Sequence, residues 1–390
     1  MLRRSLRKEA FQENMESYLT AEISASAVKE NLALLRGRLT GTTKLCAVVK
    51  ADCYGHGRNL LLPILSPLVD YLGVATPEEA IDLRRAGYHG PIITFFSSCA
   101  YNDGFELRDA LEELVAHNVT LTVVSMAEVD AVVVAARRVG ATPVVHVKID
   151  TAMGRSGVLW DQAPELIRRI RRESAVRLGG LYTHLATADE TDKSVAKEQL
   201  RRLLTASQES GGAKGLLLHA ANSAGVIDLP QTHLDMVRPG VAIYGYQPSD
   251  DMQNCLPLKP ALRLTGRLMQ IKNLPAGSKV GYGLTYTFNR DSRVGLVPVG
   301  YADGYFRSLS NRASVRVRGR DVPIRGRVSM DQISIDLTDA PEAAVGDVVE
   351  IFSNDPAAPH SVENLARMIG TIPYELTCCL GRRVRRVLVK

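Results

Sequence analysis

From Lys44 to about Gly240, short apolar runs alternate with longer amphipathic stretches. The runs are LCAVVK (45–50), YLGVAT (71–76), PIITFF (91–96), TLTVVS (120–125), VVHVKID (144–150), VRLGGLYTHLA (176–186), GLLLHAA (215–221) and HLDMVRPG (233–240). They have strand length and are nearly continuously apolar, as strands buried on both faces are. The stretches between them carry helix punctuation. Pro77, Glu78 and Glu79 open PEEAIDLRRAG and Gly87 closes it. Further helical patterns lie near 58–68 and in MAEVDAVVVAARRVG after the fourth run. Eight strands in this spacing predict a parallel (β/α)₈ TIM-like barrel. A doubly wound open sheet competes, but no glycine-rich dinucleotide turn supports it.

After Gly240 the pattern changes. Pro257 and Pro260 interrupt, and then LRLTGRLMQIKNL, VGLVPVGYA, ASVRVRGRDVPIRGRVSMDQISIDL and GDVVEIFS alternate with turn glycines. This predicts a mostly antiparallel C-terminal β domain, with one helix at SVENLARMIG (361–370) capped by Ser361. The expected division is 1–258 for the barrel and 259–390 for the β domain. SYLTAEIS (17–24), ahead of the barrel's first strand, is a candidate to pair with the β domain, as is the strand-like end RRVRRVLVK.

Composition narrows the class. Hydrophobic residues are 45% and charged residues 23% of the 390, an ordinary globular mixture. No apolar run approaches the ~20 residues of a membrane helix. The net charge is +6, but residues 1–10 carry four basic groups and one acid, and residues 381–390 five basic groups and no acid, leaving −2 on the rest. Charge concentrated at the two ends is not the basic stripe of a nucleic-acid binder. Six cysteines (46, 53, 99, 255, 378 and 379) show no CxxC pairing, so reduced thiols, no metal and a cytoplasmic location are expected. Residues 9–17 are too polar for the core of a signal peptide.

Candidate chemistry follows from the barrel, whose reactive groups belong just past the C-terminal ends of strands. Lys50 ends the first run, Arg155 follows the fifth, His184 lies in the sixth, Asn222 and Ser223 follow the seventh, and Arg238 and Gly240 close the eighth. Each alone has an ordinary reading as a surface or packing residue. Together at one rim they suggest an imine-forming lysine beside cationic groups. Asn222-Ser223-Ala-Gly225 and the amides near Gly240 suggest a phosphate cradle. A lysine and a phosphate cradle point to pyridoxal phosphate.

AVVKADCYGHG (47–57) closely resembles the pyridoxal-lysine signature of the alanine racemase family. The resemblance runs in order through VKIDTAMGRSG, YTHLATADE, HAANSAG, VRPGVAIYG, VGYGLTYT, GYADGY, GRVSMDQISID and TIPYELTCCL. It implies a pyridoxal-phosphate racemase acting on alanine, supplying D-alanine for peptidoglycan. It also implies a homodimer whose active site is shared between subunits. By resemblance, Lys50 binds the cofactor and is one base, and Tyr282, from the partner's β domain, is the other. Arg238 faces the pyridine nitrogen, and His184 braces Arg238 and stacks near the ring. Tyr54, Asn222, Ser223, Gly240, Val241 and Tyr374 hold the phosphate. Arg155 and the Met330 backbone position the substrate carboxylate, Tyr301 and Tyr305 sit near the entrance, and Lys148 matches a lysine carbamylated in some members. Departures from the family pattern are Ala152 and Ser24, where glycine and aspartate are usual, Thr20 in place of tryptophan, and Cys53 in place of alanine.

Two bases on opposite faces suit proton removal from one side and delivery to the other. A phenol has a reference pKa near ~10, so a tyrosine base needs cationic neighbours. Competing readings are a broad-specificity or serine racemase, a decarboxylase of the same fold (kept open by Cys378 and Cys379), and a cofactor carrier without turnover. The β domain carrying Tyr282 speaks against the last.

Overall fold

The computed structural model describes residues 18–97 and 105–390. The basic segment 1–10 and Cys99 lie outside these. Two compact units form: one is Ala25–Lys259, and the other joins the N-terminal strand, up to Ser24, to Pro260–Lys390.

The strand β1 (Leu19–Ser24) and helix α1 (Ala25–Arg36) open the chain. Then follow β2 (Lys44–Val48), α2 (Arg58–Leu65), β3 (Tyr71–Val74), α3 (Pro77–Arg85), β4 (Ile92–Ser97), α4 (Phe105–Ala116), β5 (Thr120–Val123) and α5 (Met126–Val139). The Ala25–Lys259 unit continues with β6 (Val144–Asp150), the short β7 (Val158–Leu159), α6 (Ala163–Arg171), β8 (Arg177–Tyr182), α7 (Ser194–Glu209), β9 (Leu217–His219), α8 (Ser223–Asp228) and β10 (Met236–Val237). Its main sheet is parallel and ordered β10-β2-β3-β4-β5-β6-β8-β9. The two end strands meet through Asp235 N–H to the Leu218 carbonyl (3.0 Å) and Arg238 N–H to the Ala221 carbonyl (2.8 Å). The result is an eight-stranded parallel barrel, open only at that irregular seam.

Local chemistry explains the elements. Thr76 caps α3 by accepting the Glu79 N–H, Glu79 accepts the Thr76 N–H in return, and Pro77 begins the helix. Ser125 caps α5, which ends on left-handed Gly140 and buries Val129, Val132, Val133 and Ala136. All four residues of β5 are buried, as a strand between barrel interior and helix layer must be. Cys46, Ile93, Tyr182 and Met236 fill the interior, with Phe95 and Tyr71 against them.

The second unit adds β11 (Leu262–Arg267), β12 (Gln270–Leu274), β13 (Lys279–Val280), β14 (Tyr286–Thr287), β15 (Ser292–Val297), β16 (Ser314–Val317), β17 (Arg320–Arg325), β18 (Ile333–Asp336) and β19 (Val348–Phe352). Helices α9 (Val362–Ile369) and α10 (Pro373–Cys378) and strand β20 (Arg385–Val389) complete it. Its nine-stranded sheet runs β12-β15-β18-β17-β16-β19-β11-β1-β20. Every pairing is antiparallel except β1 with β20. Strand β1 alternates buried and half-buried residues, so one of its faces belongs to a core, shared with fully buried Leu264, Val315, Ile351 and Phe352. On the other face Arg263 bridges Glu22 (3.0 Å) and Glu350 (2.7 Å). Helix α9 is capped by Ser361 as its sequence predicts. No helix among the described residues is long and apolar enough to cross a membrane.

Candidate active site

Lys50 stands exposed two residues beyond β2. The chain then makes a left-handed turn: Ala51, Asp52, Cys53 and Tyr54 have φ of 51, 54, 57 and 54°. None is glycine, so each carries a penalty of about 1–2 kcal/mol. Neighbouring groups hold the turn in place. Glu79 Oε1 accepts the Ala51 N–H at 2.6 Å, while its Oε2 accepts the Ala75 N–H at 2.8 Å. Asp52 Oδ1 accepts the Arg58 N–H at 2.7 Å. Buried His56 lies within 3.0 Å of the Cys53 and Tyr54 carbonyls and stacks on Tyr244 at 4.6 Å. Tyr244 in turn donates to the Val48 carbonyl at 3.0 Å. The turn buries Tyr54 and Cys53, and burial pushes the Cys53 thiol up to about 12, which fits packing rather than thiolate chemistry.

Tyr54 reaches the opposite side of the barrel seam. A Cβ on Gly240 would lie 2.4 Å from the Tyr54 hydroxyl oxygen, so only glycine allows the approach. Ser223 Oγ accepts the Gly240 N–H at 2.9 Å and the Ala242 N–H at 3.4 Å. Asn222 caps α8 through the Gly225 N–H at 3.0 Å, and Val241 begins the buried turn after Gly240. Hydroxyls and amides thus converge in a form suited to a phosphate.

Cations gather at the same end of the barrel. Burial depresses the His184 imidazole to about 3, with further lowering by Arg238, Arg155, Lys148 and Lys50. Lys148 falls to about 8, from burial first and then Arg155 and Arg238, against the opposing charge of Asp150. Asp150 is occupied by the Ala152 and Gly154 N–H groups, both at 3.1 Å. Ala152, a departure from the family pattern, has φ 149°, a conformation glycine adopts without strain. This cluster is short of negative charge and calls for an anionic ligand.

Arg238 is 4% exposed. Its Nη1 meets His219 Nδ1 at 2.9 Å, and its Nη2 donates to the Thr183 and Ala220 carbonyls at 2.7 and 3.1 Å. The imidazole hydrogen-bonded to Arg238 is His219, at the end of β9, which the sequence reading did not single out, while His184 lies close enough to Arg238 to feel its charge. His219 stacks on Tyr182 at 4.6 Å, nearly parallel, and Tyr182 shares a 2.8 Å hydrogen bond with Thr122. HAANSAG contains His219, and strand alternation would have turned it inward. Glu79 was legible as a helix cap, but not as the anchor of Ala51.

In the β unit, Tyr282 lies on a short turn between Gly281 (φ 77°) and Gly283 (φ 71°) and is 71% exposed. Met330 and Tyr301 are brought together, since the Ala302 N–H donates to the Met330 carbonyl at 3.0 Å and the Tyr301 N–H to Ser329 at 3.1 Å. Arg383 ties the two loops by bonding Asp303 (2.9 Å) and Asp331 (2.7 Å). Tyr305, expected near an entrance, is instead fully buried against Phe352, on the loop after Asp303, where the Tyr305 N–H donates to the Gly300 carbonyl at 3.1 Å. Tyr374 is half-buried on α10, which ends at exposed Cys378.

Two family models cover the chain: the alanine racemase N-terminal domain matches residues 23–248 and the C-terminal domain residues 261–388. The chain is 39% identical over 376 residues to the alanine racemase of Desulfovibrio desulfuricans, covering 95% of this chain and 98% of that protein. It is also 39% identical over 375 residues to the alanine racemase of Halothermothrix orenii, covering 94% and 95%. Its structure matches that of alanine racemase from Clostridium difficile 630 with a TM-score of 0.89 at 34% identity, over 96% of this chain and 97% of the other. With both domain models matched in order and a relative 39% identical over 95% of this chain, the chain belongs to the alanine racemase family.

Proposed function

We propose that the chain interconverts L- and D-alanine using pyridoxal phosphate, in an active site shared between two copies of the chain. The observation that carries this reading is Lys50, exposed immediately before the left-handed turn 51–54 and close enough to Lys148 and His184 to act on both, in a cluster with Arg155 and Arg238. The residues present suit that cofactor. A Gly240 side chain would collide with the Tyr54 hydroxyl, leaving a glycine-lined cradle in which Tyr54, Ser223, Asn222 and Val241 would hold the phosphate; Tyr374 is assigned to the same group on the family resemblance alone. When bound, the cofactor supplies an electron sink for charge on the α-carbon.

The chain's own groups do the rest. Lys50 binds the cofactor aldehyde and moves a proton on one face of the α-carbon. Tyr282 of a partner subunit moves the proton on the other. Arg155 and the Met330 backbone orient the substrate carboxylate. Arg238 only donates, so a pyridine nitrogen held against it would stay unprotonated and charge delocalisation into the ring would be restrained. That restraint favours reprotonation at the α-carbon over transamination. His184 sits as a neutral imidazole among these cations, able to pack on a ring without adding charge.

Sharing of the site is supported by large apolar side chains left exposed on the β unit. Tyr282, Leu284, Tyr301, Met330 and Ile372 are 71, 57, 46, 52 and 51% exposed, and a homodimer would cover them. The test is incubation with L-alanine, L-serine and a panel of other L-amino acids, reading D-isomer and carbon dioxide together. D-alanine without carbon dioxide is expected from the native chain, and neither D-alanine nor visible cofactor absorbance from Lys50→Ala. Carbon dioxide release, or a retained yellow chromophore in Lys50→Ala, would overturn the reading.

A further inference from the structure

Arg238, His219 and His146 form a line inside the barrel, and the arginine dictates where each proton sits. A guanidinium only donates. Its Nη1 lies 2.9 Å from His219 Nδ1, so that nitrogen accepts and His219 carries its proton on Nε2. His219 Nε2 lies 2.9 Å from His146 Nδ1, which must therefore accept, leaving the His146 proton on Nε2. That last nitrogen is buried and has no hydrogen-bond partner. Both rings are fully buried, and burial together with Arg238 keeps both neutral.

The backbone makes room for this ring. A Cβ on Gly179 would lie 3.1 Å from His146 Nε2, and one on Gly180 would lie 2.8 Å from its Cε1. A Cβ on Gly179 would first meet Val144 Cγ1, at 2.3 Å, and one on Gly180 the Leu217 carbonyl oxygen, at 2.6 Å, so the imidazole is one of several neighbours these two glycines of β8 admit. A leucine at 146 would occupy similar space without an orphaned donor. What the histidine adds is the acceptor at Nδ1. Without it, His219 Nε2–H would be buried unpaired, and the alternative tautomer would turn an N–H against Arg238.

We propose that His146 is a positioning residue for the reaction assigned above: it fixes the tautomer of His219 and, through it, the aim of Arg238. This rests on the reading of Arg238 as the group facing the cofactor ring. The tautomer assignment itself does not, so the two can fail separately.

The test uses holoenzyme carrying ¹⁵N-labelled histidine, read by long-range ¹H–¹⁵N correlation, with His146→Leu, His146→Asn and His219→Asn variants. An asparagine Oδ1 can replace the lost acceptor, and a leucine cannot. Wild-type enzyme should show His219 and His146 as Nε2–H tautomers. In His146→Leu, His219 should become a tautomer mixture and kcat for alanine should fall about tenfold with KM little changed. His146→Asn should restore the Nε2–H signal of His219 and most of kcat. A wild-type His219 protonated on Nδ1 would overturn the proposal, even if the leucine variant did not fold. So would a folded leucine variant with an unaltered His219 signal and kcat. Absence of any racemase activity in the wild type, with the tautomers as stated, would instead reject the functional reading.

Discussion

Single residues in this protein carry strain where chemistry is expected. Four non-glycine residues at positive φ directly follow Lys50, and nothing in ADCY marks them for that conformation. Their stability comes from contacts distant in sequence, which residue-level reading misses: Glu79, 28 positions away from Ala51, accepts its N–H. The same carboxylate accepts the Ala75 and Thr76 N–H groups. One group therefore neutralises three donors and joins the lysine turn to the cap of α3. Replacing it by glutamine aims an amide N–H₂ at one set of donors, leaving a partly buried N–H unpaired. Glu79→Gln should cost about 1–3 kcal/mol in urea denaturation. Glu78→Gln, on the exposed neighbour, should change stability by less than about 0.5 kcal/mol. Equal effects from the two variants would show that the carboxylate does not restrain the turn.

Among elements, those with strong periodicity were legible and those defined by long-range pairing were less so. The eight barrel strands coincide with the apolar runs, β2 and β4 overrunning theirs by one residue at Lys44 and Ser97, because strands buried on both faces must be continuously apolar. Helix α3 begins at Pro77, where its capping pattern starts. The edge placement of β1 and β20 could not be read from either alone: their register, Thr20 with Arg385 through Ser24 with Val389, joins opposite ends of the chain. Cys378 and Cys379, which kept a decarboxylase in view, end on the exposed side of α10. Loops in the β unit depend on side chains that sequence leaves unassigned, Arg383 above all. It pairs with Asp303, 2% exposed, and with Asp331, which is open to solvent. The second bond contributes at most about 1 kcal/mol. Losing the first strands a buried carboxylate and costs about 1–3 kcal/mol. Arg383→Ala should therefore lower stability by about that amount and raise KM for alanine, since Asp303 also holds the Gly300 N–H at 3.0 Å beside the Met330 loop. Unchanged KM would detach these loops from substrate binding.

At the scale of the whole molecule, buried basic groups set the response to acid. The folded-state pKa values of His146 and His184 are depressed to about 3, and that of His219 well below its ordinary value, by burial first and then by Arg238. The unfolded chain takes up protons on these groups near pH ~6.5, while the folded chain does not. Their stabilising contribution is fully present above that pH and is lost as pH falls toward about 3. Each such group tilts stability by about 1.4 kcal/mol per pH unit, so three give about 4 kcal/mol per unit once the unfolded histidines are charged. Carboxylates pull the same way only at lower pH: Glu350, held to about 2 by His360 and Arg263, contributes below its unfolded value near ~4.5. The interval from pH 6.5 to 4.5 therefore belongs to the histidines. Denaturation at pH 7.5, 6.0 and 5.0, with protein concentration held fixed so that self-association cannot shift the comparison, should show stability falling by several kcal/mol. His146→Asn removes one titrating ring and should make the fall shallower by about 1.4 kcal/mol per pH unit. A stability that stayed level across this interval would mean that the three imidazoles are charged, or open to water, in the folded protein.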